Sequence, residues 1–220
     1  LIYNRALSAG ECDHVSQLLA RDWGIQQARA GVYYVDTVNG LDTRHGRTPQ
    51  ESLQTLTQAR VKMAGASGTV FVTAPEAHPL REQYLQNGAG DVEIVPAPGE
   101  STFYHYGSTR FTTGWSAAGG GVYSRAVAVN PDSVVVTDLP GATWSAEGEQ
   151  RRLLKNSSTP TTPAAGQYGW SAGTLYVHLP ADADPEGHPI EVAQVSYCLC
   201  AYGAGSLTVR NAVLRYASGA

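Results

Sequence analysis

Short apolar runs, separated by glycine, proline and acidic residues, recur along most of the chain. Runs rich in β-branched and aromatic side chains are typical of strands, and four of them lie at residues 70–72, 92–95, 127–129 and 134–136. Some of these runs are continuously apolar and do not alternate with polar residues, as expected for parallel strands with little exposure to solvent. The pattern therefore predicts a mostly β protein with short, largely parallel strands.

Residues 32–72 predict a strand, a turn, a short helix and a second strand. The run at 32–36 is β-branched and aromatic, and the pair Asn39-Gly40 is a strong turn signal. Apolar residues at helical spacing follow, and the chain then reaches a strand-like run at 69–72. We expect three apolar residues near this helix to face inward over the end of the sheet: Leu53, Leu56 and Ala59.

The first 26 residues have the pattern of a short strand followed by a helix. Ser8 and Glu11 have the spacing of a capping box, in which each side chain satisfies a backbone N–H at the helix start. Apolar residues recur at helical spacing as far as Trp23, and Gly24 stands where a helix commonly ends. Because one short helix cannot bury its apolar stripe alone, we expect it to dock on another element.

One further segment predicts an excursion from the regular strands. It spans residues 103–126 and includes three consecutive glycines. Residues 207–216 are strand-like again, with Asn211 between two apolar runs. Asparagine tolerates left-handed φ and its amide can bond nearby backbone groups, so we expect Asn211 to lie at a corner of the chain.

The segment YYVDTVNGLDTRHGRTPQESLQTLTQAR, residues 33–60, resembles the opening segment of right-handed parallel β-helix proteins of the pectate-lyase-like kind. Residues 167–193 resemble an insertion found near the start of many such proteins, and residues 207–216 resemble a first regular rung. In this family a helix covers the open end of the solenoid, where strand edges would otherwise be unpaired. The resemblance implies a mostly β fold: the N-terminal cap, insertions and first rung of a right-handed parallel β-helix, with a short N-terminal helix.

The sequence IYNRALS at residues 2–8, followed by Glu11, resembles the C-terminal end of concanavalin-A-like (laminin-G-like) jelly-roll domains. The resemblance implies that residues 1–26 are the last strand and helix of a jelly roll, and residues 27–31 a linker. Residues 32–220 would then be the N-terminal part of a parallel β-helix domain. The alternative is an ordinary amphipathic helix that caps whatever follows it.

Composition and charge limit the kinds of partner. Only 15% of the 220 residues are charged, while there are 24 glycines and 12 tyrosines, which disfavours a helical bundle. The net charge is −4 and basic residues form no run, so we expect no binding to nucleic acid or to an anionic membrane. Three cysteines (Cys12, Cys198 and Cys200) are too few for a disulfide framework, and we interpret them as packed apolar side chains. The abrupt first and last residues predict a section of a longer polypeptide.

Motifs of common hydrolases and nucleotide-binding enzymes are missing from the sequence. It contains no G-x-S-x-G, H-E-x-x-H, C-x-x-C or P-loop pattern, and we assign no catalytic residue. The oxygen-rich trio Asp36, Asn39 and Asp42 lacks the spacing and the terminal glutamate of an EF-hand loop. We interpret these residues mainly as turn and capping groups, with a Ca²⁺ site as the alternative and no other cofactor expected.

Four aromatic residues are candidates for contact with carbohydrate, because aromatic rings can stack on the apolar faces of sugars: Tyr104, Tyr106, Trp115 and Trp170. The alternative for each is packing in the core or within an insertion. The resemblance favours an extracellular or phage-virion protein, of the tail fibre or spike type, that recognises polysaccharide and contacts other copies of itself or other virion proteins. Two alternatives remain: a secreted polysaccharide lyase or glycoside hydrolase with its active site beyond residue 220, and a purely structural virion module. The same fold serves all three, so the sequence does not decide whether the protein is an enzyme.

Overall fold

The computed structural model describes residues 31–138 and 151–217. Across this part of the chain the protein is mostly β, with many short strands in several sheets and one α-helix. The chain divides into two compact units. Within the described residues, unit 1 comprises 31–78, 85–103 and 201–212, and unit 2 comprises 79–84, 104–138, 151–200 and 213–217.

The helix is α1 (Leu56–Met63), and short 3₁₀ turns lie at Pro49–Glu51 and Pro180–Asp182. The strands, in chain order, are β1 (Val32–Asp36), β2 (Gly68–Thr73), β3 (Tyr84–Gln86), β4 (Val92–Pro96), β5 (Phe103–Tyr106), β6 (Ser108–Phe111), β7 (Ser116–Gly119), β8 (Val122–Ala126), β9 (Val134–Val136), β10 (Arg151–Arg152), β11 (Leu154–Lys155), β12 (Gln167–Ser171), β13 (Thr174–His178), β14 (Ile190–Ala193), β15 (Leu199–Ala201), β16 (Leu207–Val209) and β17 (Ala212–Arg215).

Unit 1 is built on a parallel sheet in the order β1-β2-β4-β16. Alternate side chains of each strand point inward, as the pleat requires. One inward row consists of Tyr33, Val70, Ile94 and Val209 in register, and the first three are at most 2% exposed. Residues 70–72 and 92–95 are thus parallel strands, as predicted, and they pair with each other.

Helix α1 covers the β1 side of this sheet, as predicted. Thr55 caps the helix start, since its Oγ1 accepts a hydrogen bond from the N–H of Gln58 at 3.1 Å. Leu53 forms an isolated parallel bridge with Val35 on β1, and α1 packs against β1 and β2. The three residues expected to face inward, Leu53, Leu56 and Ala59, are all 0% exposed.

Asn211 takes left-handed φ (51°) between β16 and β17, as expected for a corner. Its carbonyl accepts a hydrogen bond from the N–H of Phe103 at 3.2 Å and another from the Thr102 hydroxyl at 2.7 Å. Two two-stranded sheets pair β3 with β15 and β5 with β17.

Unit 2 contains two further sheets, which are largely antiparallel. Their strand orders are β10-β9-β14-β6 and β11-β12-β13-β8-β7, and within the second sheet β11 pairs parallel with β12. A shared apolar core includes Val134, Tyr168, Leu175 and Ile190, each 0% exposed. Strands β6 and β14 run side by side, with Ser108 opposite Ala193. The predicted excursion at 103–126, apart from β5, and the insertion at 167–193 therefore both belong to one antiparallel body.

Two of the four apolar runs expected to be parallel strands are not parallel strands in the structure. Val134–Val136 is β9, which pairs antiparallel with β14 and β10, and residues 127–129 form no strand. The apolar run of β9 is continuous because all three valines are buried, at 3% exposure or less. Burial on both faces, which the run correctly indicated, does not determine the direction of the neighbouring strand.

The segments predicted as a jelly-roll strand and helix (1–26) and nearly all of the linker (27–31) lie outside the described residues, together with Cys12. Cys198 is a buried free thiol and Cys200 a partly buried one. Burial raises the pKa of Cys198 to about 11, so its thiol stays protonated at neutral pH. No helix in the described residues is both long and apolar enough to cross a membrane.

Candidate functional site

The outward side chains of the parallel sheet form the outer face of unit 1. Alternation assigns these positions, and most are partly exposed where the inward rows are buried. The outer face consists of Val32, Tyr34, Asp36, Thr69, Phe71, Thr73, Glu93, Val95 and Thr208.

Polar side chains occupy one row of the outer face. Thr69, Glu93 and Thr208 lie opposite one another on β2, β4 and β16. They line a groove of about 350 Å³, which Asp91 and Arg210 also line. We call it the polar groove. The Nε of Arg210 lies 2.7 Å from Oε1 of Glu93, and the two side chains are 66% and 37% exposed.

Asp91 is fixed at one end of the polar groove. Its Oδ1 accepts hydrogen bonds from the N–H of Ser206 at 2.9 Å and from the Ser206 hydroxyl at 2.8 Å. These two bonds favour the charged form, so the pKa of Asp91 lies below its usual range. The carboxylate is thus ionised through mildly acidic pH.

Aromatic side chains occupy the next outward row. The rings of Tyr34 and Phe71 stack with centroids 5.4 Å apart and an interplanar angle of 27°. Tyr34 is only 9% exposed, so the partly exposed ring of Phe71 is the one that a ligand can reach. They line a second groove of about 220 Å³, together with Asp36, Thr73 and Pro98. We call it the aromatic groove. Offset stacking of this kind stabilises the pair beyond its buried area.

The two grooves give the outer face of unit 1 both hydrogen-bonding groups and an apolar aromatic surface. Carboxylates accept hydrogen bonds, a guanidinium donates them, and threonine hydroxyls do both. An aromatic surface beside them can contact an apolar ligand face. This arrangement suits a ligand with many hydroxyl groups and flat apolar faces.

The predicted metal trio lies beside the aromatic groove, where its oxygens bond to the protein. Oδ1 of Asp36 accepts from the N–H groups of Val38 and Asn39 at 2.8 and 3.0 Å. Oδ1 of Asp42 accepts from the N–H of Thr55 at 3.0 Å and Oδ2 from its hydroxyl at 2.9 Å. These are the expected turn and capping roles. In the described ranges no group of three or more His, Cys, Asp or Glu side chains is arranged for a metal, and the Ca²⁺ alternative stays a prediction.

The four predicted carbohydrate contacts all lie in unit 2. Tyr106 is 2% and Trp115 8% exposed, so both rings belong to packed regions. Trp170 is partly buried and its Nε1 donates to the carbonyl of Val127 at 2.7 Å. Tyr104 is partly exposed and meets Tyr106 edge-on, with centroids 6.4 Å apart. Their role as sugar contacts stays a prediction, with Tyr104 and Trp170 presenting the more accessible rings.

Beneath Tyr106, unit 2 holds a buried ionic cluster around Glu191, which is 0% exposed. Arg81 binds Glu191 with two hydrogen bonds of 2.7 and 2.9 Å, Arg110 with one of 2.7 Å, and the Ser108 hydroxyl with one of 2.6 Å. Burial alone would raise the pKa of Glu191, but these hydrogen bonds outweigh it and hold the pKa below its ordinary value. The Glu191 carboxylate therefore stabilises the fold of unit 2 and is not accessible to a ligand.

His178, also in unit 2, lies between two hydrogen-bond acceptors. Its Nε2 is 2.7 Å from Oδ1 of Asp182 and its Nδ1 is 2.8 Å from the carbonyl oxygen of Pro163. Because both partners are acceptors, the imidazolium form, in which both ring nitrogens donate, is the form that satisfies both contacts. Burial would lower the pKa of His178, but the bonds to Asp182 and Pro163 outweigh it and raise the pKa.

Sequence reasoning missed the residues that form the two grooves: Tyr34, Phe71, Glu93 and Arg210. The alternation in 69–73 was readable and would have placed Phe71 opposite to Val70 and Val72. No local pattern shows that residues 93 and 208 are neighbours, since the long insertion separates them in the chain.

Comparison with known proteins gives a likeness of fold. No protein-family model matches the chain, and no curated protein matches it. A solved structure described as the complex structure of XylC with xylose is similar over 86% of this chain, with a TM-score of 0.58 and 18% sequence identity. The present chain spans 36%, about a third, of that chain. At this identity the likeness shows a shared fold.

Proposed function

We propose that this chain is a section of a right-handed parallel β-helix that binds polysaccharide on the outer face of unit 1. The observation that carries the proposal is the pair of adjacent grooves, one polar around Glu93 and one aromatic around Phe71. A sugar chain presents hydroxyl groups at its edges and apolar C–H faces, which match these two linings.

The fold supports the proposal in two ways. Four strands separated along the chain stack in parallel and in register, which is how a β-helix forms each of its faces. The similar XylC structure contains xylose according to its description. That sugar belongs to XylC, and for this chain it supports carbohydrate as the ligand class to test first.

The setting of the protein is part of the same proposal. The resemblance of residues 33–60 to β-helix proteins supports an extracellular or virion location, with other copies of the chain or other virion proteins as partners. The lyase or hydrolase alternative and the purely structural alternative both predict weak polysaccharide binding by this chain alone, so a binding measurement separates them from the proposal.

The test is calorimetric titration of the 220-residue chain with a panel of soluble polysaccharides. For a polysaccharide that binds, we expect Phe71→Ala and Glu93→Gln each to weaken binding about tenfold, which corresponds to about 1.4 kcal/mol. Asp132→Asn is the matched control, because Asp132 also forms an exposed ion pair, with Lys155 at 3.3 Å in unit 2. Equal affinity of Glu93→Gln, Phe71→Ala and the control would contradict the proposed site.

Tyr104→Ala tests the earlier aromatic prediction in the same assay. Loss of affinity in this variant, with Phe71→Ala unaffected, would move the binding site to unit 2. Thermal melting of each variant verifies that affinity changes do not come from unfolding.

A further inference from the structure

The ionisable side chains that line the polar groove have a negative net charge. Its lining includes two carboxylates, Asp91 and Glu93, against one guanidinium, Arg210, which gives a net charge of −1. The aromatic groove beside it adds the carboxylate of Asp36, and none of its described lining residues is basic. An anionic ligand would thus approach more carboxylates than cations.

The single cation of the polar groove is already engaged. Arg210 Nε and Glu93 Oε1 are 2.7 Å apart, the short distance of a charge-assisted hydrogen bond. A ligand carboxylate or sulfate that binds the remaining N–H groups of Arg210 must lie close to the negative charge of Glu93. It must then also lie near a second fixed negative charge on Asp91, whose bonds to Ser206 hold it in place.

An uncharged sugar meets no such repulsion. Its hydroxyls can donate to the carboxylate oxygens of Asp91 and Glu93 while they accept from the hydroxyls of Thr69 and Thr208. The Arg210–Glu93 pair can remain intact throughout. Since Asp91 has a pKa below its usual range, this acceptor character persists when the solution becomes mildly acidic.

We propose, on the basis of the function proposed above, that the polar groove selects uncharged polysaccharides and discriminates against chains that carry uronate or sulfate groups. The discrimination comes from two carboxylates that accept from sugar hydroxyls and repel anions. It is a selection by charge, and it does not specify which neutral sugar is bound.

The experiment uses polysaccharide pairs that share a backbone and differ in charge. Suitable pairs are methyl-esterified polygalacturonate with polygalacturonate, dextran with dextran sulfate, and xylan with carboxymethyl xylan. We expect the neutral member of a bound pair to bind the 220-residue chain at least about tenfold more tightly at low salt. Added salt screens the repulsion and should reduce that ratio, with little change in the affinity of the neutral member.

The double variant D91N/E93Q keeps the shape of the groove and removes both negative charges. We expect it to bind the acidic member of each pair more tightly than the unmodified chain does, because the two negative charges that repel an anion near Arg210 are then removed. Asp132→Asn removes a charge from unit 2 and should leave the ratio unchanged.

The outcomes separate the two proposals. Equal or tighter binding of the acidic members by the unmodified chain overturns the charge selection and leaves polysaccharide binding in place. An absence of binding to every member of the panel overturns the proposed function, and the charge selection with it.

Discussion

Single residues in this protein show how a buried charge is stabilised. Glu191 has no exposed surface, and desolvation of a carboxylate is costly unless hydrogen bonds and opposite charges compensate for it. Arg81 supplies two of the four hydrogen bonds and is itself only 26% exposed. Its guanidinium also lies over the ring of Tyr106, at 5.5 Å from the centroid.

Removing Arg81 alone should therefore destabilise the protein more than removing both Arg81 and Glu191. We expect Arg81→Leu to lower the free energy of unfolding by about 3–5 kcal/mol, because Glu191 is left buried and less compensated. Urea denaturation at neutral pH measures this. As the control, R81L/E191L should be more stable than Arg81→Leu alone, and a double variant that is less stable would contradict the interpretation.

The Glu191 cluster also predicts the response to acid. The pKa of Glu191 is lower in the folded protein than in the unfolded chain, so its stabilisation is present above the unfolded pKa of about 4.3. It is lost as pH falls through the folded pKa. The difference in stability between the unmodified chain and Arg81→Leu should thus shrink in strong acid.

His178 predicts the opposite dependence on pH. Its folded pKa is raised, so the stabilisation by Asp182 is fully present below the unfolded pKa of about 6.5 and is lost as pH rises through the folded pKa. We expect Asp182→Asn to lower the free energy of unfolding by up to about 1 kcal/mol near pH 5.5, since this carboxylate is largely exposed. Near pH 9 the variant and the unmodified chain should be equally stable. The same loss at both values would exclude the charged pair as its cause.

At the scale of elements, hydrogen bonds at both ends fix where helix α1 begins and ends. Asp42 receives the N–H and hydroxyl of Thr55, and Thr55 in turn caps the helix by accepting from Gln58. At the other end Ala64 takes left-handed φ (52°) and its N–H bonds to the carbonyls of Arg60 and Val61. The helix thus starts and stops at fixed positions above the sheet.

Substitutions on the buried and exposed faces of α1 test whether the helix covers the sheet through its buried face. Leu56→Asp should lower the free energy of unfolding by about 3–5 kcal/mol, because it places an unpaired charge at a position with no exposure. Val61→Asp is the matched control on the same helix, where the side chain is 56% exposed, and should change stability by about 0.5 kcal/mol. Similar losses in the two variants would mean that α1 is not anchored through this face.

Elements were more predictable from the sequence than their pairing. The strand, turn, helix and strand of residues 32–72 were readable because turn residues and apolar periodicity are local signals. The antiparallel pairing of β9 was not readable, since a run of three buried valines looks the same in either direction. The polar groove was missed for a related reason: Glu93 and Thr208 meet only once β16 has paired with β4.

At the scale of the whole molecule, β16 is an edge strand in the described part of the chain. Leu207 and Val209 point to the same side as Val92 and Ile94, which are 3% and 0% exposed, yet they are only partly buried. The inward side chains are buried on β4 but partly exposed on β16, which indicates that a further strand could pair with the free edge of β16. Such an edge is a template for pairing with another chain.

We therefore expect the isolated 220-residue chain to self-associate as its concentration rises. Val209→Lys should reduce this association, because lysine at an edge strand opposes pairing, and Val129→Lys is the control at a valine 50% exposed elsewhere. Sedimentation velocity measures the mass of each variant. A monomer at all concentrations, with the amides of Leu207–Val209 protected from hydrogen exchange, would show that the edge is already satisfied.

The pairing of Ser108 with Ala193 has a consequence for how the chain reaches this structure. Val92 and Leu207 are neighbours in the parallel sheet although more than a hundred residues separate them, and closing so long a loop from a disordered chain is entropically costly and slow. Strands β6 and β14 remove most of that loop, because they bring the two ends of the insertion side by side. If the antiparallel body forms first, it should therefore lower the entropic cost of joining β16 to β4 and speed completion of the parallel sheet.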